Sequence, residues 1–357
     1  MVSNPLISLF LIWASSLALH FVYYVIATGI VLITLRLFWH RGLNRRKIQH
    51  KAWSRADALR EIAASLRTVV IFALITTAVR LGAASGLFSI RKHFDGSEIA
   101  YLLCTLVAMI LAQDTYFYWT HRLMHHRLLF RTFHRTHHKS VTSTVFAAYA
   151  FDAPEAFVHG LFVPLWLLII PMHQLGILIF LAFMVGRNAT GHCGVELCSI
   201  QLAASGWFGW FSPTAHHDLH HTTVKYNYGL YFTWWDRLMG TEHPKYCEQL
   251  RLLSGEACIP MTTPSPAGIS NDQNIKHVCH SSVLLQDQFP DRYHRVPMAA
   301  AWSKLWSNPI LLSPKGDHSL ILAVGKIPRK RDVVNLLAVA VGAQAGVITA
   351  MLWHFVL

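Results

Sequence analysis

Six histidines fall within residues 121–138 (HRLMHHRLLFRTFHRTHH), and a later run, His216-His217-Asp218-Leu219-His220-His221, repeats the closing pattern. Imidazoles packed this densely repel one another when protonated and gain little as core, whereas a shared metal ion makes them mutually favourable. Residues three and four apart share a helix face. His121 and His125 are so spaced, as are His134, His137 and His138; His217, His220 and His221 repeat that triplet, and Asn188 and His192 are again four apart. One ion takes roughly four to six ligands, so these nine imidazoles suit two ions better than one. Neutral imidazole serves iron, zinc and copper alike, so ligand type does not choose the metal. The bland alternative is a basic juxtamembrane surface that happens to be rich in histidine, and the repeated HxxHH step on two separate segments argues against it. Isolated histidines such as His20 and His354, and those of the polar tail, read as ordinary packed or surface residues. His126 and His216, turned about 100° from their neighbours on a helix, suit a supporting role. Asp114, Asp152, Glu155, Glu196 and Asp218 are candidates to take the outward N–H of a metal-bound histidine.

These residues need apolar elements to position them. Of 357 residues, 53% are hydrophobic and only 14% charged, with a mean hydropathy of +0.36, which predicts a polytopic membrane protein. The formal charge of +13 does not form a nucleic-acid stripe. Its residues flank apolar runs, as at Arg45-Arg46-Lys47 and Arg329-Lys330-Arg331, where the positive-inside rule puts cytoplasmic anchors. Six scattered cysteines with no CxxC pair outline neither a disulfide framework nor a zinc ribbon. Apolar runs at 6–38, 62–90 and 99–119 each reach the ~20 residues that span a bilayer, and the first reads as a retained helix rather than a cleaved signal. Arg80, inside the second run, is expected to face protein or the far interface. The run at 156–185 is broken by Pro164 and Pro171, which predicts a shallow or re-entrant hairpin that brings Asn188 and His192 back to the first cluster. The expected fold is an all-α, polytopic integral membrane helical bundle with a histidine-rich metal site on its cytoplasmic side. Its parts are N-terminal transmembrane helices at 1–97, a histidine-box core at 98–246, a cytoplasmic extension at 247–330 and a C-terminal transmembrane helix at 331–357.

The boxes His121-xxx-His125, His134-xx-His137-His138 and His217-xx-His220-His221, in this order and membrane setting, resemble the fatty acid hydroxylase/sterol desaturase superfamily. The stretches NATGHCGVE at 188–196 and NYGLYFTWWDRLMGTEHP at 227–244 are similar to its sterol-desaturase-type branch. The resemblance runs from about residue 100 to 246. It implies two iron ions held by His121, His125, His134, His137, His138, His192, His217, His220 and His221, with zinc as an alternative occupant of the purified protein. It further implies O2 as co-substrate and hydroxylation or desaturation of an unactivated C–H position in a sterol or fatty-acyl lipid. Asn188 stands where some members carry histidine and is an extra ligand or support candidate. No flavin or haem motif is present, GxGxxG being absent, so a separate ferredoxin, reductase or b-type cytochrome is expected to supply electrons. Arg122, Arg127, Arg131, Arg135 and Lys139 would suit an acidic donor or lipid headgroups. The expected location is a bacterial inner membrane or the endoplasmic reticulum.

Two other functions compete. A metal transporter would line a path across the bilayer with its histidines, but these clusters lie at helix ends on one expected side. A zinc hydrolase would carry HExxH, which is missing.

Overall fold

The computed structural model describes residues 4–49, 51–92, 95–198 and 209–254, and there the chain is mostly helical. The expected order of the extension beyond residue 254, and the expected crossing by the run at 333–357, lie outside the described residues. Helix α1 (Pro5–Phe38) starts at Asn4, whose side chain accepts from the Leu6 N–H at 3.0 Å. Helix α2 (Arg55–Ala84) opens with a capping box in which Ser54 and Asp57 satisfy each other's backbone donors. Helix α3 (Ile99–Met124) follows, then the short α4 (Phe130–Phe133) and α5 (Arg135–His138), α6 (Ala153–Gly160), α7 (Phe162–Leu167) and α8 (Gln174–Gly191). Among the described residues, α1, α2, α3 and α8 are long and apolar enough to cross a membrane.

The burial pattern is inverted relative to a soluble bundle. Helix α1 turns Ser16, His20, Tyr24, Ala27 and Thr28 inward and leaves Leu6, Phe10, Leu11, Ile30 and Ile33 exposed. Lipid solvates such an outer face, while small and polar side chains let helix backbones approach and bond across the interface. Arg80, charged within an apolar run, donates to the Ile12 carbonyl at 3.1 Å and to the Ser15 and Ser16 hydroxyls at 2.6 and 3.2 Å, so it faces α1. On the same helix Glu61 accepts from the Thr144 N–H and hydroxyl, and Ser65 and Arg67 donate to the Phe146 and Phe151 carbonyls. The segment between α5 and α6 is thereby fastened to α2.

At the end of the bundle where α2 stops and α3 begins, β1 (Ile90–Arg91) pairs in parallel with β2 (Met172–His173), Ile90 opposite Met172. The α7–α8 turn therefore lies beside the α2–α3 connection. The descending limb is broken into two short helices, as the prolines predict. The returning limb α8 is deeper than the shallow hairpin expected, since its 18 residues are long enough to cross alone. The opposite end gathers the start of α2 and the ends of α1, α3 and α8. There Ile48 N–H donates to the Gly194 carbonyl and Glu196 N–H to that of Arg46. Three further helices lie at this end: α9 (Thr214–Thr223), α10 (Trp234–Leu238) and α11 (Tyr246–Ser254). Tyr246 and Leu250 of α11 pack with Ile48 and Ala215, so the first turns beyond residue 246 are part of this packed end.

Single cysteines placed at the exposed positions Lys51 and Leu87, in a background with the native cysteines replaced, should react with a membrane-impermeant maleimide from opposite sides. Labelling of both from one side would break the arrangement of spans.

Candidate metal centre

Each of the nine histidines sits at or near a helix end. His121 is in the last turn of α3 and His125 caps it; His134 lies between α4 and α5, and His137 and His138 are on α5. His192 caps α8, and His217, His220 and His221 are on α9. The structure divides them into two groups. His121, His125, His134, His138 and His220 form one, and His137, His192, His217 and His221 the other, with ligand atoms within each group all lying within 4.8 Å of one another. Histidines four apart share a group, whereas His137 and His138, like His220 and His221, part company. Their ring planes are 87° and 84° apart.

The close contacts within both groups are between Nε2 atoms. In the first, His121 is 2.9 Å from His134 and 3.3 Å from His125, which is 3.2 Å from His138. In the second, His192, His217 and His221 make a triangle with sides of 3.1, 3.2 and 3.1 Å, and His137 lies 3.4 Å from His192. Nitrogens bound about 2.0–2.1 Å from one ion are roughly 2.9–3.4 Å apart across octahedral to tetrahedral angles. Hydrogen bonds alone do not account for the triangle, because each Nε2 has one in-plane site, filled by either a proton or a lone pair. A cation among the three lone pairs fits all of them. The buried Nε2 of His220, with no hydrogen-bond partner, fits the same purpose in the first group.

The opposite ring nitrogens show how the lone pairs are aimed. His121 Nδ1 donates to the Tyr228 carbonyl at 2.9 Å, His220 Nδ1 to that of Tyr226 at 2.6 Å and His192 Nδ1 to that of Asn188 at 2.7 Å. His134 Nδ1 meets the Glu155 carboxylate at 2.7 Å. A proton fixed on Nδ1 leaves Nε2 free as a donor to metal. Burial, reinforced by neighbouring imidazoles, holds His134, His137, His217, His220 and His221 well below the ordinary histidine range. Burial likewise takes His138 down to about 2 and His192 to about 4. The rings are therefore neutral near pH 7, the form that binds metal.

A loop from Tyr226 to Thr241 supplies two of those carbonyls. Asp236, fully buried, accepts from the Tyr228 and Gly229 N–H groups at 2.8 Å each and from the Thr241 hydroxyl at 2.8 Å. Asp114 on α3 takes the Tyr231 and Phe232 N–H groups and the Trp234 indole N–H. It thus joins the loop to the helix that carries His121. Asn227, at a left-handed φ of 58°, donates to the His216 carbonyl and accepts from His243 N–H.

The other support candidates have separate partners. His126 is exposed, its Nδ1 accepting weakly from Leu128 N–H. His216 is buried between Ser212 and Asp236, with burial taking it down to about 3. Glu196 accepts from Cys198 and Ala215 N–H groups, Asp218 from Gln49, and Asp152 from Thr136. Among the described residues, the carboxylate that reaches a clustered imidazole is Glu155. Sequence reasoning missed the Tyr226 and Tyr228 carbonyls, which any residue type could provide, and the work of Asp236. It also missed His159, buried beside Glu155 and stacked on Phe117 at 4.9 Å.

The geometry defines a helical membrane protein with two groups of neutral, inward-aimed histidines able to hold metal at one end of the bundle. Residues 106–241 match the fatty acid hydroxylase family model. A Delta(7)-sterol 5(6)-desaturase of Schizosaccharomyces pombe is 26% identical over 195 residues, covering 55% of this chain and 62% of that protein. Human lathosterol oxidase is 30% identical over 198 residues, 54% of this chain and 64% of that protein. A rat cholesterol 25-hydroxylase is 32% identical over 151 residues, 41% and 49% of the two chains. These similarities support the sterol-desaturase-type resemblance. The chain spans 62–65% of the length of the first such relatives. No solved structure matches it.

A Cβ on Gly229 would lie 2.3 Å from the Phe232 carbonyl oxygen and 2.8 Å from Asp236 Oδ2. Gly229→Ala should therefore lower stability by roughly 2 kcal/mol or more and reduce bound metal, read by thermal unfolding and elemental analysis in detergent. Gly186→Ala, on α8 with nothing within 4 Å, should change stability by under about 1 kcal/mol.

Proposed function

We propose that this protein is a membrane-bound non-haem di-iron oxygenase that hydroxylates or desaturates an unactivated C–H position of a sterol-type or other lipid, using O2 and electrons from a separate donor. The observation that carries the reading is the division of the nine histidines into groups of five and four, with the ligand atoms of each group within 4.8 Å of one another. The fatty acid hydroxylase domain and the oxidative activities named for the relatives support the choice of iron and of a lipid substrate. Iron bound there would supply oxygen activation and removal of hydrogen from carbon.

The chain's own part is to hold, orient and shield. His121, His125, His134, His138 and His220 would hold one ion, and His137, His192, His217 and His221 the other. All are neutral donors, so the ions' charge is left largely uncompensated, as a strongly oxidising centre requires. The Tyr226, Tyr228 and Asn188 carbonyls and the Glu155 carboxylate hold protons at Nδ1 and keep the rings from turning. Arg127, Arg131, Arg135 and Lys139 are exposed around the second box and suit an acidic electron donor. The basic segment 36–49 lies at the same end of the bundle as the histidines, which supports a cytoplasmic orientation by the positive-inside rule. A transport role is disfavoured because the groups sit together at that end rather than along a path between helices.

Protein purified with iron should contain about two ions per chain. His220→Ala and His137→Ala, one from each group, should each abolish turnover and lower bound iron; retained activity in either variant overturns the ligand assignment. Lipids from cells with and without the gene, compared by mass spectrometry, should show a product heavier by one oxygen or lighter by two hydrogens. Neither change, in iron-loaded cells with active reductant, argues against the oxidation itself.

A further inference from the structure

Two short segments on either side of α9 pair with each other against α3 and α8. Ser212 N–H donates to the Tyr231 carbonyl at 2.8 Å and Thr233 N–H to that of Trp210 at 2.7 Å, with Phe211 opposite Phe232. Their anchors on the spanning helices lie well away from the helix ends that carry the histidines. Asp114 takes the Tyr231 and Phe232 N–H groups and the Trp234 indole N–H, and the Trp235 indole donates to the Thr115 hydroxyl at 3.2 Å. Tyr231 packs on Phe183 of α8 at 4.9 Å, and Arg187 of the same helix donates to the Ser212 carbonyl at 2.6 Å.

Helix rise converts these anchors into depth. Asp114 is ~22 Å along α3 from its start at Ile99, inside the ~30 Å of hydrocarbon that a span must cross. Phe183 is ~13 Å along α8 from its start at Gln174, near the middle of that helix. Residues 209–212 and 230–238 therefore reach bilayer depth although neither segment is long enough to span.

Two properties fit that depth. The outward side chains are large and apolar: Trp210, Phe211 and Leu238 are 43%, 50% and 52% exposed. The Phe211 and Phe232 rings lie 5.2 Å apart, and those of Phe232 and Trp234 5.6 Å. The two charged residues of these segments, Asp236 and Arg237, are both buried, and Arg237 pairs with Glu242 at 3.0 Å beneath the Trp210 ring. The backbone is also paired. Besides the four N–H groups at 212, 231, 232 and 233, the Gly209 carbonyl accepts from Arg237 at 2.7 Å and from the Thr233 hydroxyl at 3.2 Å. Irregular backbone at membrane depth needs such pairing, because hydrocarbon offers no replacement partner.

We infer that residues 209–212 and 230–238 form an aromatic platform immersed in the acyl layer of the leaflet on the histidine side, with phospholipid chains as its partner. Tyr226 and Tyr228, whose carbonyls hold His220 and His121, belong to the same loop. Lipid contact on the platform thus bears on the position of those rings. The inference rests on α3 and α8 as spanning helices and is independent of the proposed reaction.

The test uses the full chain in phosphatidylcholine nanodiscs, where both membrane faces are open to solvent. Phe211→Cys and Leu238→Cys, each in a background with the native cysteines replaced, are labelled with the fluorophore NBD. Leu103→Cys, exposed on α3, and Arg127→Cys, at an exposed basic position, give the lipid and aqueous references. Labels at 211 and 238 should lose most of their emission to 5-doxyl phosphatidylcholine and little to iodide, as at Leu103→Cys. Quenching chiefly by iodide at either position, as at Arg127→Cys, overturns the inference. Shielding from both quenchers means that protein, such as a second copy of the chain, covers the face, and overturns it as well. Leu238, which has no ring contact to lose, carries the test if Phe211→Cys does not fold.

Discussion

Neutral imidazoles that aim their Nε2 lone pairs at one another from about 3 Å repel, and the protein holds eight of them in that posture, with His220 beside them. The rest of the structure follows from keeping them there. Three of the rings have a backbone acceptor behind them and a fourth has a carboxylate, and each of these groups must itself be fixed. Backbone carbonyls of Tyr226, Tyr228 and Asn188 and the buried Glu155 carboxylate take the outward N–H groups. Asp236 and Asp114 then hold the loop that carries two of those carbonyls. Burial prevents the rings from escaping the repulsion by protonation, since a charged imidazole in this setting is more costly than a neutral one. A cation is what turns the arrangement from repulsive to attractive.

The membrane helices serve the same end by being inverted. Helices α1 and α2 bury serine, threonine, histidine and glutamate against each other and against the segment between α5 and α6, and they present leucine, isoleucine and phenylalanine outward. Lipid provides no apolar driving force to hold such helices together, so hydrogen bonds such as Arg80 to Ser15 and Glu61 to Thr144 do more of the work. The ends of α1, α3 and α8 are thereby set in a fixed relation, and the histidines at or just beyond two of those ends inherit it.

Much of this was legible in the residues. Apolar runs located the spanning helices, the prolines at 164 and 171 marked a broken limb, and i, i+4 spacing drew attention to nine histidines that the fold does gather. What spacing did not show is how they divide. Positions i+3 and i+4 of a helix differ by about 100°, so the tandem pairs at 137–138 and 220–221 open toward two centres. That rule also sets His126 and His216 apart from their neighbours. The carbonyl acceptors were invisible for a different reason: a main-chain oxygen leaves no signature in residue type. Asp114 and Asp218 invited assignment as histidine partners by their nearness in sequence. In space they bond backbone, indole and amide donors instead.

The tandem pairs have a mechanical consequence. His137 and His138 are joined by one peptide bond yet serve different groups, and so are His220 and His221. Rotation of α5 or α9 that improves one group must disturb the other, which makes the two groups a single hinge-linked unit rather than independent sockets. By thermodynamic reciprocity, whatever the seating of one group does to the other is returned in equal measure.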